Sequence, residues 1–312
     1  MTTPGNAPRP MTYTRVLQEA GQHHVTRKFL HEELQKLLST SPETEDKVVV
    51  SFFTSFVYPW VHLIDPDAVM LEEVLQNADL DGKELVLMLN CPGGDALAAE
   101  RMINICRSYN PAGYTVIVPK QAKSAATMVC LGAKKILMSA TSELGPIDPQ
   151  ISDETSQYAA HEIIESYEDL IQKANKTKGR IEPYLQQLNR FDARNIRWIK
   201  SAQQLSESIA VKALQTGAMK GKTSTQVRKL IKPFLSPEYT KVHGRPIYYD
   251  VAKQCGLDVE LHDLKSDIWR KVWDIYVRLN HVVSNPSNGA SKVLESVSDH
   301  YEAPLPPPIL GE

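Results

Sequence analysis

A mixed α/β fold with a largely parallel sheet is predicted by three observations. Short β-branched and apolar runs alternate with helical-period runs between Lys47 and Met138. Helical patterns take over beyond Ile151. Loops bearing Gly, Pro and Ser fall where strands run out into helices.

The elements follow in order. Apolar residues at helical spacing from Thr14 to Leu38 predict an N-terminal helix, and SPETED (Ser41 to Asp46) predicts a linker. Lys47 to Phe56 is β-branched and aromatic enough for a first strand. A helix over Asp65 to Asn77, a strand over Glu84 to Asn90 and a helix over Ala96 to Tyr109 come next. A strand over Tyr114 to Pro119, a helix over Ser124 to Leu131 and a strand over Lys135 to Met138 complete the alternation.

Beyond Ile151, Ile163, Ile164, Tyr167, Leu170 and Ile171 share a helix face. A second long helix is predicted from Ile181 to Thr216, with shorter pieces at Val227 to Leu235 and Val251 to Cys255 and a Trp- and Val-rich helix over Ile268 to Val283. The ending APLPPPILGE predicts an extended tail. The chain thus divides into an N-terminal helical extension (1–45), an α/β domain (46–265), a helical segment (266–300) and a Pro-rich tail (301–312).

The 312 residues are 42% hydrophobic and 23% charged, enough for a large core. Lys and Arg number 35 against 37 Asp and Glu, a net charge of -2 that gives no general pull toward nucleic acid or anionic membranes. The apolar stretches are short of a membrane span and the N-terminus has no apolar signal core, so a cytoplasmic protein is expected. Four separated cysteines without a C-x-x-C pair or clustered His suggest free thiols and no zinc motif.

Three loops could carry chemistry. Asn90-Cys91-Pro92-Gly93-Gly94-Asp95, between an apolar strand and a helix, reads as an anion or oxyanion cradle or as a plain tight turn. In Lys120 to Met128, Ser124 stands at a strand-to-helix junction. Its hydroxyl suits a nucleophile, with the Gly94 and Ala125 amides as oxyanion donors, or else a helix cap. In SELGPIDPQ (Ser142 to Gln150), Asp148 could orient a base, or serve as a turn aspartate.

The ordered runs LVLMLNCPGGDALAAERM, VPKQAKSAATMVCLGAKKILM and SELGPIDPQ, with HGRPIYYDVAKQCGLDV (His243 to Val259), resemble the ClpP-fold serine peptidases, most closely the serine dehydrogenase proteinases (SDH), relatives of signal peptide peptidase A. The resemblance covers Val48 to Val259. It implies a ClpP/crotonase-like spiral of β-β-α units with helical N- and C-terminal extensions, and Ser124 as the nucleophile of a serine endopeptidase. It also implies Gly93, Gly94 and Ala125 as the oxyanion hole, a peptide or protein substrate, a homo-oligomer and no cofactor. Ser124-Ala125-Ala126-Thr127 stands where the family has Ser-Gly-Gly-Thr, a departure that keeps the Ala125 N–H.

A serine hydroxyl needs a base. In this resemblance the position of the ClpP histidine corresponds to Asp148, and the lysine used by signal-peptide-peptidase-like enzymes points to the helix after Gln157, where His161, Lys173 and Lys176 are the candidates. Two other readings compete: an inactive relative that uses the fold for assembly or binding, and a crotonase-like acyl-CoA enzyme.

Overall fold

The computed structural model of the protein describes residues 12, 16, 23–39, 46–152, 157–236 and 244–307. Most of the linker, His243 and the end of the Pro-rich tail lie outside the described residues.

The chain enters through α1 (His23–Leu38) and β1 (Lys47–Thr54), then runs α2 (Asp65–Asn77), β2 (Glu84–Asn90), α3 (Ala96–Tyr109) and β3 (Thr115–Val118). It continues through β4 (Gln121–Ala122), α4 (Ala125–Gly132), β5 (Lys135–Ser139) and β6 (Glu143–Leu144). The local causes are plain. An Asp-Pro pair opens α2 with Asp67 bonding back to the Ile64 N–H. Asp95 caps α3 by accepting from the Leu97 N–H at 2.8 Å.

A hairpin, β7 (Gln150–Ser152) and β8 (Gln157–Ala159), leads into α5 (Ala160–Lys176), followed by α6 (Glu182–Leu188) and α7 (Ala193–Gln215). The single helix expected from Ile181 to Thr216 is therefore two. Pro183 starts α6, and Asp192 starts α7 afresh by accepting from the Arg194 N–H at 2.7 Å. Then come α8 (Ser224–Leu230), α9 (Lys232–Leu235), α10 (Tyr249–Gln254), β9 (Val259–His262) and α11 (Asp267–Ser284). The chain closes on β10 (Ala290–Glu295) and β11 (His300–Pro304).

The main sheet has the order β11-β10-β1-β2-β3-β5-β9, with β1, β2, β3, β5 and β9 parallel and β10 and β11 antiparallel. The C-terminal region thus departs from the expected helical segment and tail. Ser291, Lys292, Val293, Leu294 and Glu295 are all buried in a strand beside β1, and residues 300–304 pair outside it. The alternation of apolar side chains explains the pairing, since Leu294 joins the core on one face of the sheet and Val293 the core on the other.

Beyond the C-terminal ends of the parallel strands lies a second small layer of pairings. Leu63 bridges Gly94, Cys91 bridges Ala122, β4 pairs with β6, and Leu144 bridges Ile247. Each unit therefore runs long strand, short strand, helix, which is the β-β-α order the resemblance implies. Val50, Phe52, Leu85, Leu87, Val116 and Val118 face the helices of these units. Val49, Phe53, Val86, Met88, Ile117 and Leu137 face α1 and α11, so both terminal regions complete the core on the opposite side.

Candidate active site

Among the described residues, Ser124 alone combines a side chain with positive φ, at φ 49° and ψ −121°. Such backbone costs about 1–3 kcal/mol and persists only where its surroundings over-determine it. Here they do. Lys123 N–H bonds the Cys91 carbonyl at 3.0 Å, and the Lys123 ammonium is held by Glu143 at 2.8 Å and the Leu144 carbonyl at 3.2 Å. Thr127 donates to the Ala122 carbonyl at 2.7 Å and accepts from the Gly145 N–H at 3.0 Å. Ser124 precedes α4 but its side chain makes no capping bond, which removes the simplest alternative to a nucleophile.

The Pro-Gly-Gly loop packs directly against this turn. A Cβ on Gly93 (φ 101°) would stand 2.7 Å from Ser124 Cβ and 2.6 Å from the Lys123 carbonyl oxygen. Leu63 clamps the loop from the other side, its N–H bonding the Gly93 carbonyl at 2.7 Å and its carbonyl accepting from the Asp95 N–H at 2.9 Å. The Gly93 N–H is directed to Cys91 Sγ at 3.4 Å, and a Cβ on Gly93 would also lie 3.1 Å from the Ala125 nitrogen. Burial pushes the Cys91 thiol up to about 11, so Cys91 stays a protonated, structural thiol.

Ser124, Gly93 and Gly94 line a cleft of about 930 Å³ whose walls include Tyr58, His62, Met128 and Trp198. Ile147 and Pro149 line it while Asp148 between them is buried, its Oδ2 accepting from Gln150 at 3.2 Å. His161 does not line the cleft. It is half-buried on α5 with Nε2 3.0 Å from Glu165 Oε1, without hydrogen-bond alignment. Lys173 is exposed and paired with Asp169 at 2.6 Å, a hydrogen bond that holds its ammonium above the usual range, opposite to what a lysine base needs. Lys176 is exposed at the end of the same helix.

Among the described residues, the imidazole that lines the cleft is His62, a residue that spacing does not single out. It sits on the loop after β1, next to Leu63. Its loop is anchored by Asp67, which accepts from the Ile64 N–H at 2.8 Å and from Lys292 of β10 at 2.6 Å. Asp67 and Lys292 are both buried, and burial raises the Asp67 carboxyl while Lys292 opposes the rise. Lys292→Met is expected to destabilise the fold by about 3–5 kcal/mol, because it leaves the carboxylate buried without its partner. A loss under about 1 kcal/mol in urea unfolding would contradict this role.

A family model described as ClpP-like SDH-type serine proteinase matches residues 43–280. The uncharacterized protein MJ0137 of Methanocaldococcus jannaschii is 29% identical over 211 residues, 68% of this chain and 64% of that protein. MJ1495 of the same organism is 37% identical over 98 residues, 31% of this chain and 32% of that protein. The chain spans less than two thirds of the length of either relative. Among solved structures, a lysine-to-alanine variant of the 1510-N membrane-bound stomatin-specific protease in complex with a substrate peptide matches 76% of this chain and 99% of its own, at 15% identity and a TM-score of 0.32. A serine-to-alanine variant of that protease matches 70% and 98%, at 14% identity and a TM-score of 0.32. Among the described residues no helix is long and apolar enough to cross a membrane. With a family match over most of its length, on a β-β-α fold that carries the family's Pro-Gly-Gly loop against a serine turn, the chain belongs to the ClpP-like SDH-type serine proteinases.

Proposed function

We propose that the protein is a serine endopeptidase in which Ser124 is the nucleophile, the Gly94 and Ala125 amides form the oxyanion hole and His62 is the general base. The observation that carries the reading is the positive φ of Ser124 at the wall of an open cleft, packed so closely against Gly93 that a Cβ there would meet Ser124 Cβ at 2.7 Å. Ser124 Oγ attacks the carbonyl carbon of a peptide bond while its proton passes to the imidazole. The developing oxyanion is met by the two N–H groups. The C–N bond breaks, the amine leaves with the proton from the imidazole, and water, deprotonated by the same base, releases the acid from the acyl-serine.

His62 is supported over His161, Asp148, Lys173 and Lys176 because it shares the cleft with Ser124. The Tyr58 hydroxyl, buried in the same wall without a hydrogen-bond partner among the described residues, is suited to a polar group of the substrate. The substrate is a peptide or protein, and the active form a cytoplasmic homo-oligomer, for which exposed Trp198 and Leu205 on α7 offer apolar surface.

The test is covalent labelling by a fluorophosphonate, which forms a Ser–O–P bond and releases fluoride. Wild type is expected to take one adduct, and His62→Ala to label roughly 10²–10⁴-fold more slowly with its fold intact. Full-rate labelling of His62→Ala with slow labelling of His161→Ala would transfer the role to His161. Absence of any adduct on assembled wild type would favour the inactive binding relative.

A further inference from the structure

At the β10–β11 edge of the sheet, the fold gathers three residues that the sequence keeps far apart: His24 at the start of α1, Glu295 at the end of β10 and His300 at the start of β11. One ligand atom of each lies within 4.8 Å of the others. The His24 and His300 rings meet edge to face with centroids 4.6 Å apart. We infer that His24, Glu295 and His300 form a divalent transition-metal site, best suited to zinc, that fastens the N-terminal helix to the C-terminal hairpin.

The surroundings of these three side chains favour ligation. His300 Nε2 is 2.8 Å from Glu302 Oε1, so that nitrogen is held by a carboxylate while Nδ1 faces Glu295 Oε2 at 2.9 Å. A carboxylate behind one imidazole nitrogen fixes the ring and leaves the other to bind metal, an arrangement common behind zinc-ligating histidines. Glu295 is almost fully buried, and Arg27 Nε contacts its two oxygens at 3.0 and 2.9 Å, which sets the carboxylate plane. Oε1 keeps a second lone pair for an ion, and Oε2 regains one when His300 Nδ1 gives up its proton and turns to the metal.

His31, 3.9 Å from Glu295, is committed elsewhere, to the Arg27 carbonyl and the Ser51 hydroxyl at 2.8 Å each. The protein donor set is thus two imidazoles and one carboxylate, with water to complete a tetrahedron, a set that suits zinc better than calcium or magnesium. Exposed His24 gives the ion an entry path. The absence of a zinc motif in the sequence follows from this assembly, since the ligands come from opposite ends of the chain.

Binding here would tie α1 to the outer strand of the sheet, which otherwise meets solvent along β11. The competing arrangement is an imidazolium held between Glu295 and Glu302, with no ion.

The experiment uses the untagged full chain after chelator treatment. Co²⁺ titration is expected to give the visible absorption of a tetrahedral ion at one equivalent, displaced by Zn²⁺. Zn²⁺ is expected to raise the melting temperature by several degrees. His24→Ala, at an exposed position that can be cut back without opening the core, should weaken Co²⁺ binding at least tenfold. Glu302→Gln should weaken it roughly 10–100-fold through the orientation of His300. No absorption and no Zn²⁺-dependent shift in wild type would overturn the site in favour of the imidazolium pairing. Undiminished binding in His24→Ala would overturn it as well.

Discussion

Ser124→Ala is expected to lower peptide hydrolysis by roughly 10⁴–10⁶-fold and to abolish fluorophosphonate labelling, because the proposed base then has no hydroxyl to deprotonate and no acyl- or phosphonyl-serine can form. A second substitution at the same position separates chemistry from folding. Ser124 sits at φ 49°, where a side chain is strained and glycine is not. Ser124→Gly should be as inactive as Ser124→Ala and yet more stable than wild type by about 1 kcal/mol. Alanine keeps the Cβ and the strain, so Ser124→Ala should melt close to wild type. Thermal unfolding of the three proteins beside a kcat measurement checks both statements. A glycine variant less stable than wild type would mean that the turn is not strained, and the positive φ would lose its meaning as a sign of function.

The parts of this fold that sequence reveals are those whose causes are local. The helices Asp65–Asn77 and Ala96–Tyr109 are found to the residue because an Asp-Pro start and an Asp cap mark where the backbone donors are satisfied. The strand Glu84–Asn90 is found because its side chains are buried throughout and read as one apolar run. What fails is what depends on distant partners. Residues 290–304 become strands because β1 offers an antiparallel edge, and nothing in the Pro-rich ending announces that edge.

The site divides in the same way. Ser124 and the Pro-Gly-Gly loop are each legible within a few residues, and their order along the chain carries the resemblance. The proposed base is not, because His62 lies in YPWVHLIDP among aromatic and Pro residues that read as an ordinary loop. One signal was available. The loop follows a parallel strand at its carboxyl end, the same position that singles out the other two loops.

Gly94→Ala is expected to be nearly as damaging as loss of the nucleophile, through the loop rather than the chemistry. A Cβ at residue 94 would lie 2.3 Å from the Leu63 carbonyl oxygen and 2.5 Å from its nitrogen, and φ is 149°, which a side chain adopts only under strain. The obstacle is backbone, so no side-chain rotation relieves it. Leu63 would have to withdraw, breaking its bonds to the Gly93 carbonyl and the Asp95 N–H and carrying His62 with it. Losing one oxyanion donor alone costs about 10²–10³-fold in kcat. Displacing the proposed base His62 as well should bring the loss toward the level of Ser124→Ala. The expected signature is a fall in kcat and in labelling rate together, with a lowered melting temperature. Asp95→Asn, which keeps the helix cap and the loop, should leave both near wild type. A Gly94→Ala enzyme within tenfold of wild-type kcat would show that the loop moves freely, and would remove the Gly94 amide from the proposed oxyanion hole.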